Sequence, residues 1–262
     1  MSVSPQPVAG RRAWVTGGRR GIGRGIAYAL AENGFEIVIG DLTEDDDVNE
    51  TLRGIRQHGV RAAFVRFDVA EVAQHESVLD RVESLLGPLT CLVNNAGISV
   101  AKRGDLLDAT PESFDELIRV NLRGPFFLAQ QMAKRWLPRV HDGCYRSIIN
   151  ISSISAQTVS VNRAEYCISK AGITMATQLL ATRLGEAGVG VFEIRPGVIR
   201  TPMTAGVAQA YDQRIEAGLS PMPRWGEPAD VGRAAAALAS GAFAFSTGDA
   251  IHVDGGLHIA RL

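Results

Sequence analysis

The feature that most constrains the fold of this chain is a regular alternation of short apolar runs with longer amphipathic segments. Seven short runs are rich in apolar and β-branched side chains and do not alternate strictly with polar residues, which predicts strands buried on both faces. These predicted strands are residues 12–16, 35–39, 62–67, 89–93, 147–151, 189–194 and 250–253. The intervening segments predict helices, most clearly at residues 21–33, 74–86, 110–137, 165–187 and 227–239.

This order of elements predicts one fold class. Strands that alternate with helices along a whole chain are typical of a doubly wound parallel sheet, the Rossmann-type α/β fold, with helices on both faces. No repeat, low-complexity tract or linker divides the sequence, so residues 11–262 are predicted to form a single domain. The first ten residues, MSVSPQPVAG, are predicted to be a disordered lead-in.

Composition and charge argue against several other classes of protein. The net charge is −1, from 27 basic and 28 acidic residues, and no basic stripe favours nucleic acid as a partner. No apolar run approaches the roughly 20 residues of a membrane span, and the N-terminus lacks the features of a signal peptide. The cysteines form no C-x-x-C pair and the histidines have no ligand spacing, so we expect a cytoplasmic protein without a metal site.

A glycine-rich loop follows the first predicted strand and opens the first predicted helix. Within residues 16–23, TGGRRGIG, the glycines Gly17, Gly21 and Gly23 permit a tight turn and close approach of the backbone to a pyrophosphate. The free N–H groups at the start of the helix would attract its phosphates. Because the loop joins a strand to a helix, nucleotide binding is favoured over an ordinary turn.

The choice between the two nicotinamide dinucleotides depends on residues around this loop. Asp41 follows the second strand, where a carboxylate accepts hydrogen bonds from the adenosine ribose and repels a 2′-phosphate. Arg19 and Arg20 in the loop are suited instead to pair with a 2′-phosphate. Asp41 is the more specific signal, so the sequence favours NAD(H) and leaves NADP(H) open.

Tyr166 and Lys170 stand four residues apart in a predicted helix and therefore share one of its faces. A neighbouring ammonium group favours the phenolate, so we expect Lys170 to lower the pKa of Tyr166 and make it a usable proton donor and acceptor. Alone, the pair is a weak signal, because most tyrosine–lysine pairs at this spacing are solvated helix neighbours. The other motifs must decide between these interpretations.

Together these motifs resemble the short-chain dehydrogenase/reductase family over residues 13–256. The match includes the glycine loop, the pair Asp68-Val69, the NNAG segment at residues 94–97 and the PGVIRT segment at residues 196–201. Ser153 precedes Tyr166 by 13 residues, the family spacing of the catalytic serine and tyrosine, and Asn121 falls at the position of the catalytic asparagine.

The resemblance implies a catalytic group and a cofactor site. The catalytic residues would be Asn121, Ser153, Tyr166 and Lys170. The cofactor-binding residues would be Gly17, Arg19, Arg20, Gly21, Ile22, Gly23, Asp41, Leu42, Asp68, Val69, Asn95, Ala96, Gly97, Tyr166, Lys170, Pro196, Gly197, Ile199 and Thr201.

The activity implied is reversible hydride transfer between a nicotinamide and a carbonyl or alcohol carbon. Tyr166 would be the acid and base, Lys170 would also hold a ribose hydroxyl, Ser153 would donate a hydrogen bond to the substrate oxygen, and Asn121 would anchor a water. Ser153 could instead belong to a polar turn, and Asn121 could merely tether helix backbone. The alternative function is a non-catalytic nucleotide sensor on the same fold.

The substrate is the least determined part of this prediction. The segments at residues 224–231 and 248–256 resemble those of bacterial 3-oxoacyl-(acyl carrier protein) reductases, but Asp41 departs from the NADPH-using members. A small carbonyl or alcohol substrate of the 3-oxoacyl, sugar or polyol type is therefore expected. Residues 202–225 are predicted to form a lid, and the apolar C-terminus is predicted to support a homodimer or homotetramer.

Overall fold

The computed structural model describes residues 10–261 of the chain. The predicted lead-in at residues 1–10 lies outside the described residues except for Gly10, so it stays a prediction. Among the described residues, none of the helices combines the length and the apolar character needed to cross a membrane.

One parallel sheet of seven strands organises the described chain. The strands are β1 (Arg12–Thr16), β2 (Glu36–Asp41), β3 (Ala62–Arg66), β4 (Cys91–Asn94), β5 (Arg146–Ile151), β6 (Val189–Pro196) and β7 (Ala250–Val253). Their order across the sheet is β3-β2-β1-β4-β5-β6-β7, and each neighbouring pair is parallel. The doubly wound α/β fold predicted from the sequence is therefore confirmed.

Helices cover both faces of this sheet. They are α1 (Gly21–Glu32), α2 (Asp46–Arg56), α3 (His75–Leu86), α4 (Pro111–Ile118), α5 (Gly124–Trp136), α6 (Ala164–Leu184), α7 (Pro202–Ala205), α8 (Ala208–Glu216) and α9 (Pro228–Ala239). Buried side chains of α1, α2 and α9 pack on one face, and those of α3, α5 and α6 pack on the other. Successive strand residues such as Trp14 and Val15 pack into the hydrophobic cores on opposite faces of the sheet. Because both faces are buried, polar and apolar residues do not alternate along the strands.

The sheet order creates a crevice at one edge. The chain builds β1, β2 and β3 outward in one direction and then returns to place β4 on the other side of β1. Loops that leave the carboxyl ends of β1 and β4 therefore diverge, and this switch point is where open α/β sheets bind their ligands.

Helix α1, which follows the glycine loop, is held by unusually close packing against α9. A Cβ atom on Gly25 would lie 2.6 Å from Pro228, and one on Gly232 would overlap the carbonyl oxygen of Gly25. Only glycine lets the two helices approach this closely. The packing fixes the position of α1, and hence of its N-terminus, relative to the sheet.

The connection between α4 and α5 differs from the continuous helix predicted over residues 110–137. Residues Arg119–Arg123 form one π-helical turn, and α5 begins at Gly124. Thr110 caps α4 as predicted, because its hydroxyl oxygen accepts a hydrogen bond from the Ser113 N–H at 3.2 Å. The π turn buries Asn121 completely.

Candidate active site

A cleft of about 540 Å³ opens at the switch point, beside the carboxyl ends of β1, β2 and β4. Its lining contains most of the residues predicted to bind a cofactor, from the glycine loop, Asp41-Leu42, Asp68-Val69 and residues 95–97 to Thr201. The exceptions are Pro196, Gly197 and Ile199, which line an adjoining cavity of about 290 Å³. The sequence thus identified residues that the fold brings together from five separate loops.

The glycine loop forms a cradle that has no room for side chains. Gly17 and Gly21 have φ angles of +64° and +57°, in the left-handed region that favours glycine. A Cβ atom on Gly23 would overlap the Gly17 carbonyl oxygen. At the Ncap residue of α1, no side chain of the described residues caps the helix, so its first N–H groups are available to an anion.

Asn95 and Thr16 fasten this cradle to strand β4. The Asn95 side-chain amide donates to the carbonyl oxygens of Thr16 at 3.0 Å and Gly17 at 2.9 Å. The Thr16 hydroxyl oxygen accepts hydrogen bonds from the backbone N–H groups of Asn95 and Ala96, at 3.1 and 3.0 Å. The fully buried Thr16 was missing from the predicted site, although it opens the TGGRRGIG motif.

The two loop arginines have acidic neighbours. Arg19 forms an ion pair with Asp45, and its Nε lies 3.7 Å from Asp41 Oδ1. Asp47 lies 3.9 Å from both the Arg19 and the Arg20 guanidinium groups. Three carboxylates therefore surround Arg19. Of these three, only Asp41 was predicted from the sequence to lie at the cofactor site.

Three of the four predicted catalytic residues, Ser153, Tyr166 and Lys170, lie where the two cavities meet, and Asn121 lines neither cavity. Tyr166 lines both cavities, Lys170 lines the larger one and Ser153 the smaller one. Lys170 Nζ lies 5.6 Å from the centre of the Tyr166 ring and donates to the Ile151 carbonyl oxygen at 3.1 Å. The Tyr–Lys pair is therefore part of a cavity wall rather than a solvated helix surface.

Burial controls the protonation of this pair. Burial raises the pKa of Tyr166, opposed first by a hydrogen bond with the Ser153 hydroxyl and then by the positive charge of Arg163. Burial also lowers the pKa of Lys170 to about 8, opposed by the charge of Glu193. The expectation that Lys170 would lower the pKa of Tyr166 is thus wrong here, because burial dominates and the nearest opposing charge belongs to Arg163.

The three serines after β5 have different partners. Ser152 donates to the buried carboxylate of Glu193, and Ser155 accepts from the Arg163 guanidinium at 3.0 Å. The Ser153 oxygen accepts from the Ser155 N–H at 3.1 Å, and its hydroxyl is the hydrogen-bonding group that opposes the burial-driven rise in the pKa of Tyr166. These partners separate Ser153 from its neighbours, as the 13-residue spacing to Tyr166 had indicated.

Asn121 tethers the loop after β4 to helix α6. Its side-chain oxygen accepts from the Ile98 N–H at 2.8 Å, and its nitrogen donates to the Ile98 carbonyl at 2.9 Å and to the Ser169 hydroxyl at 3.1 Å. The tether is the structural alternative considered for this residue. The role of Asn121 in holding a water stays a prediction.

The segment predicted to be a lid borders the smaller cavity. Side chains of α7, α8 and the turn after them line it, among them Met203, Tyr211 and Arg214. Arg103 and Arg163 line the same cavity from other segments. None of these arginines was identified from the sequence, since no motif marks them.

Two histidines come together despite the expectation that all five are scattered. His258 Nδ1 lies 2.8 Å, and His252 Nδ1 3.7 Å, from the Asp254 Oδ2 atom. The two imidazole rings stack with centroids 3.9 Å apart. His258 is hydrogen bonded to Asp254, whereas His252 Nδ1 has no hydrogen-bond partner among the described residues, and the three side chains place their possible ligand atoms within 4.8 Å of one another. The absence of a metal site stays a prediction.

A parallel sheet with a phosphate cradle at its switch point and a tyrosine–lysine pair beside it defines a nicotinamide-dependent α/β oxidoreductase. Comparison with known proteins agrees. The family described as Enoyl-(Acyl carrier protein) reductase matches residues 17–258. The chain belongs to the short-chain dehydrogenase/reductase family.

The similar proteins differ in their named substrates and cofactors. A Brucella melitensis 3-oxoacyl-[acyl-carrier protein] reductase in complex with NAD is 51% identical, with a TM-score of 0.93 over 96% of this chain and 98% of that one. A Burkholderia cenocepacia gluconate 5-dehydrogenase in complex with NADP and tartrate is 34% identical, with a TM-score of 0.88 over 97% of each chain. The 2-dehydro-3-deoxy-D-gluconate 5-dehydrogenase of Formosa agariphila is 30% identical over 98% of this chain and 96% of its own length.

Proposed function

We propose that Tyr166 is the proton donor and acceptor for reversible hydride transfer between a nicotinamide and a secondary alcohol or its ketone. The observation that carries this proposal is the position of Tyr166, whose side chain borders both the cofactor cleft and the smaller cavity. Of the described residues that line both cavities, Tyr166 is the one with an ionisable side chain, so it is the group suited to exchange a proton with a substrate held beside the cofactor.

The neighbours of Tyr166 supply the rest of the chemistry. The hydroxyl of Ser153, beside Tyr166, is suited to donate a hydrogen bond to the substrate oxygen, where negative charge develops during reduction. Because the pKa of Tyr166 is raised, its phenol stays protonated at neutral pH and ready to donate. Lys170 binds the Ile151 carbonyl with one N–H group and keeps two for a ribose hydroxyl.

The residues of the larger cleft fit a dinucleotide. The cradle of Gly17, Gly21 and Gly23 leaves space for a pyrophosphate, and the uncapped α1 N-terminus offers N–H groups to it. When bound, the nicotinamide supplies or accepts the hydride. Asp68-Val69, Asn95, Ala96 and Gly97 would hold the adenine and the nearer ribose from the strand ends.

We favour NAD(H) over NADP(H) as that cofactor. Asp41 lines the cleft at the end of β2, and Asp45 and Asp47 lie beside the same loop. A 2′-phosphate would meet these carboxylates, while the guanidinium group best placed to bind it, that of Arg19, is already paired with them. The Brucella relative binds NAD and the Burkholderia relative NADP, so the local charges are the argument for this chain.

We also propose that the protein is a cytoplasmic homo-oligomer. Exposed apolar residues form a stripe along α6, where Ile168, Met175 and Leu179 are 49%, 56% and 58% exposed at helical spacing. Near the C-terminus, Phe245 is fully exposed. The three free cysteines suit a reducing compartment. Sedimentation velocity should find a dimer or tetramer at micromolar concentration, and a monomer there would contradict the proposal.

The first test of the function is a substrate panel. Sugar acids, polyols, simple secondary alcohols and 3-oxoacyl thioesters would be assayed by the change in NADH absorbance, in both directions. We expect NAD-linked turnover of at least one compound class. Tight NADH binding without turnover of any class would support the sensor alternative instead.

A further inference from the structure

We propose that the smaller cavity is built for an organic anion, and that the substrate is a small polyhydroxylated carboxylic acid whose carboxylate is bound by Arg163. This inference rests on the proposed function and names the substrate class of the same site. The first observation is the positive charge of this cavity. Arg103, Arg163 and Arg214 line the cavity, and its described lining contains no aspartate or glutamate.

The three arginines come from distant parts of the chain. Arg103 lies in the loop after β4, Arg163 directly precedes α6, and Arg214 belongs to α8. A run of basic residues on one solvated surface would not explain their convergence on one cavity. No carboxylate of the described chain forms an ion pair with any of them. Cations that converge without a counter-charge repel one another. A ligand that carries negative charge offsets this repulsion when it binds.

Two hydroxyl groups hold the Arg163 guanidinium in place. Its Nη2 donates to the Ser155 hydroxyl at 3.0 Å, and its Nε donates to the Ser160 hydroxyl at 3.2 Å. These neutral partners orient the guanidinium but do not neutralise it. A guanidinium has five N–H donors, so three remain for a ligand, and a carboxylate can accept two of them side by side.

The position of Arg163 limits the size of the ligand. Its guanidinium lies 5.2 Å from the centre of the Tyr166 ring. Ser155 links it to Ser153, because the Ser155 N–H donates to the Ser153 oxygen at 3.1 Å. A carboxylate on Arg163 would therefore lie within the length of one small molecule from the oxygen that Tyr166 and Ser153 contact. The acid group and the reacting carbon must belong to the same compact substrate.

The remaining lining is mixed, with apolar side chains that include Ile154, Val159, Met203, Val207, Leu219 and Leu257 beside polar ones suited to hydroxyl groups. Besides the arginines, the cavity presents the polar side chains of Ser99, Thr158, Ser160, Asn162, Thr201 and Thr204. Its volume of about 290 Å³ is at the lower end for a small-molecule site. A polyhydroxylated chain would satisfy these groups. The reacting end of a 3-oxoacyl thioester is uncharged, so it would leave Arg163 unpaired.

The arginines at the cavity rim have a second role. Arg103 and Arg214 are exposed, and the Arg214 guanidinium lies 5.7 Å from the centre of the Tyr211 ring. Exposed charges of one sign around a cavity raise the local concentration of oppositely charged ligands and are sensitive to salt. Arg163 would thus bind the anion while Arg103 and Arg214 attract it.

The test compares two substrates that differ in charge. With NAD⁺ in excess, kcat/KM would be measured for gluconate and for glucitol, the neutral polyol of equal chain length, in the wild type, Arg163→Met and Arg163→Lys. The wild type should prefer gluconate. Arg163→Met should lower kcat/KM for gluconate about 10- to 100-fold more than kcat/KM for glucitol, since only gluconate loses hydrogen bonds to a charged group, while any effect through Tyr166 acts on both substrates alike. Arg163→Lys should recover part of the loss.

Other outcomes distinguish failure of the anion proposal from failure of the proposed function. If Arg163→Met lowers kcat/KM equally for gluconate and for glucitol, Arg163 acts on Tyr166 rather than on a carboxylate. The anion proposal is then overturned. A wild-type preference for glucitol or for a 3-oxoacyl thioester overturns it too, while NAD-linked turnover keeps the proposed function. No turnover of any compound would overturn both. The matched control is Arg81→Met, which removes an exposed charge on α3. It should leave kcat/KM unchanged for both substrates.

Discussion

At the scale of single residues, the chemistry depends on which arginines have acidic partners. Arg19 in the cofactor loop is surrounded by Asp41, Asp45 and Asp47, whereas Arg163 beside Tyr166 has only hydroxyl partners. The first arrangement pairs Arg19 with carboxylates, so its guanidinium is not free for a 2′-phosphate. The second leaves a cation free for a substrate anion.

The surroundings of these two arginines could not be predicted from the sequence. Tyr166, Lys170 and Ser153 could be predicted because family spacing and helical geometry fix their relation along the chain. The significance of Arg163 depends on which side chains line a cavity made from several distant segments, and no local spacing encodes that. The raised pKa of Tyr166 was missed for a related reason, since burial is a property of the fold.

Asp41 provides the residue-scale prediction. The wild type should prefer NADH to NADPH in kcat/KM. Asp41→Asn removes the negative charge, so kcat/KM with NADH should fall and with NADPH rise, each by about tenfold, because hydrogen bonds to charged groups contribute about 1.5–3 kcal/mol. Steady-state kinetics with both cofactors would measure this. Asp115→Asn on the exposed face of α4 is the control, and a wild-type preference for NADPH would contradict the argument.

At the scale of elements, the sequence predicted the strands and most helices closely but missed the π turn. Apolar runs and caps such as Thr110 are local signals, so elements appear near their expected bounds. The π turn at Arg119–Arg123 inserts a residue into a helix without changing its composition, so periodicity did not reveal it. That turn directs Asn121 to the loop after β4, where it binds Ile98.

The contact between α1 and α9 provides the element-scale prediction. Gly232→Ala places a Cβ against the Gly25 backbone, with Ala29 Cβ at 3.0 Å, so α1 or α9 must move. We expect the free energy of unfolding to fall by about 1–3 kcal/mol, the usual cost of overpacking. Since α1 carries the cradle, the affinity for NADH should fall as well. Thermal unfolding and fluorescence titration would measure the two effects.

The control for this variant is Gly185→Ala. Gly185 has a helical φ of −58°, and a Cβ atom there would meet no atom of the described chain within 4 Å. This substitution should leave stability unchanged or raise it by about 0.5 kcal/mol, because alanine reduces the entropy of the unfolded chain. Equal stability of the two alanine variants would show that the α1–α9 contact is not tight.

At the scale of the whole molecule, the sheet order determines where function can lie. The return of the chain from β3 to β4 opens the cleft, and the loops after β5 and β6 with residues 202–225 enclose the smaller cavity. The sequence predicted a doubly wound sheet, and hence the cofactor edge. It could not predict the shape or charge of the second cavity, since these arise from loops whose packing is not local in sequence.

The measurement that tests the central claim most directly is turnover and NADH binding by Tyr166→Phe, with Tyr28→Phe as the control. Tyr28 lies on α1, outside both cavities, and its hydroxyl donates a hydrogen bond to the Glu50 carbonyl oxygen at 3.4 Å. Loss of the general acid should lower kcat by about 10²- to 10⁴-fold, while NADH binding, measured by fluorescence titration, should stay within a few-fold. The control should keep wild-type turnover. A Tyr166→Phe variant that turns over substrate at a near-normal rate would contradict the assignment of Tyr166 as acid and base.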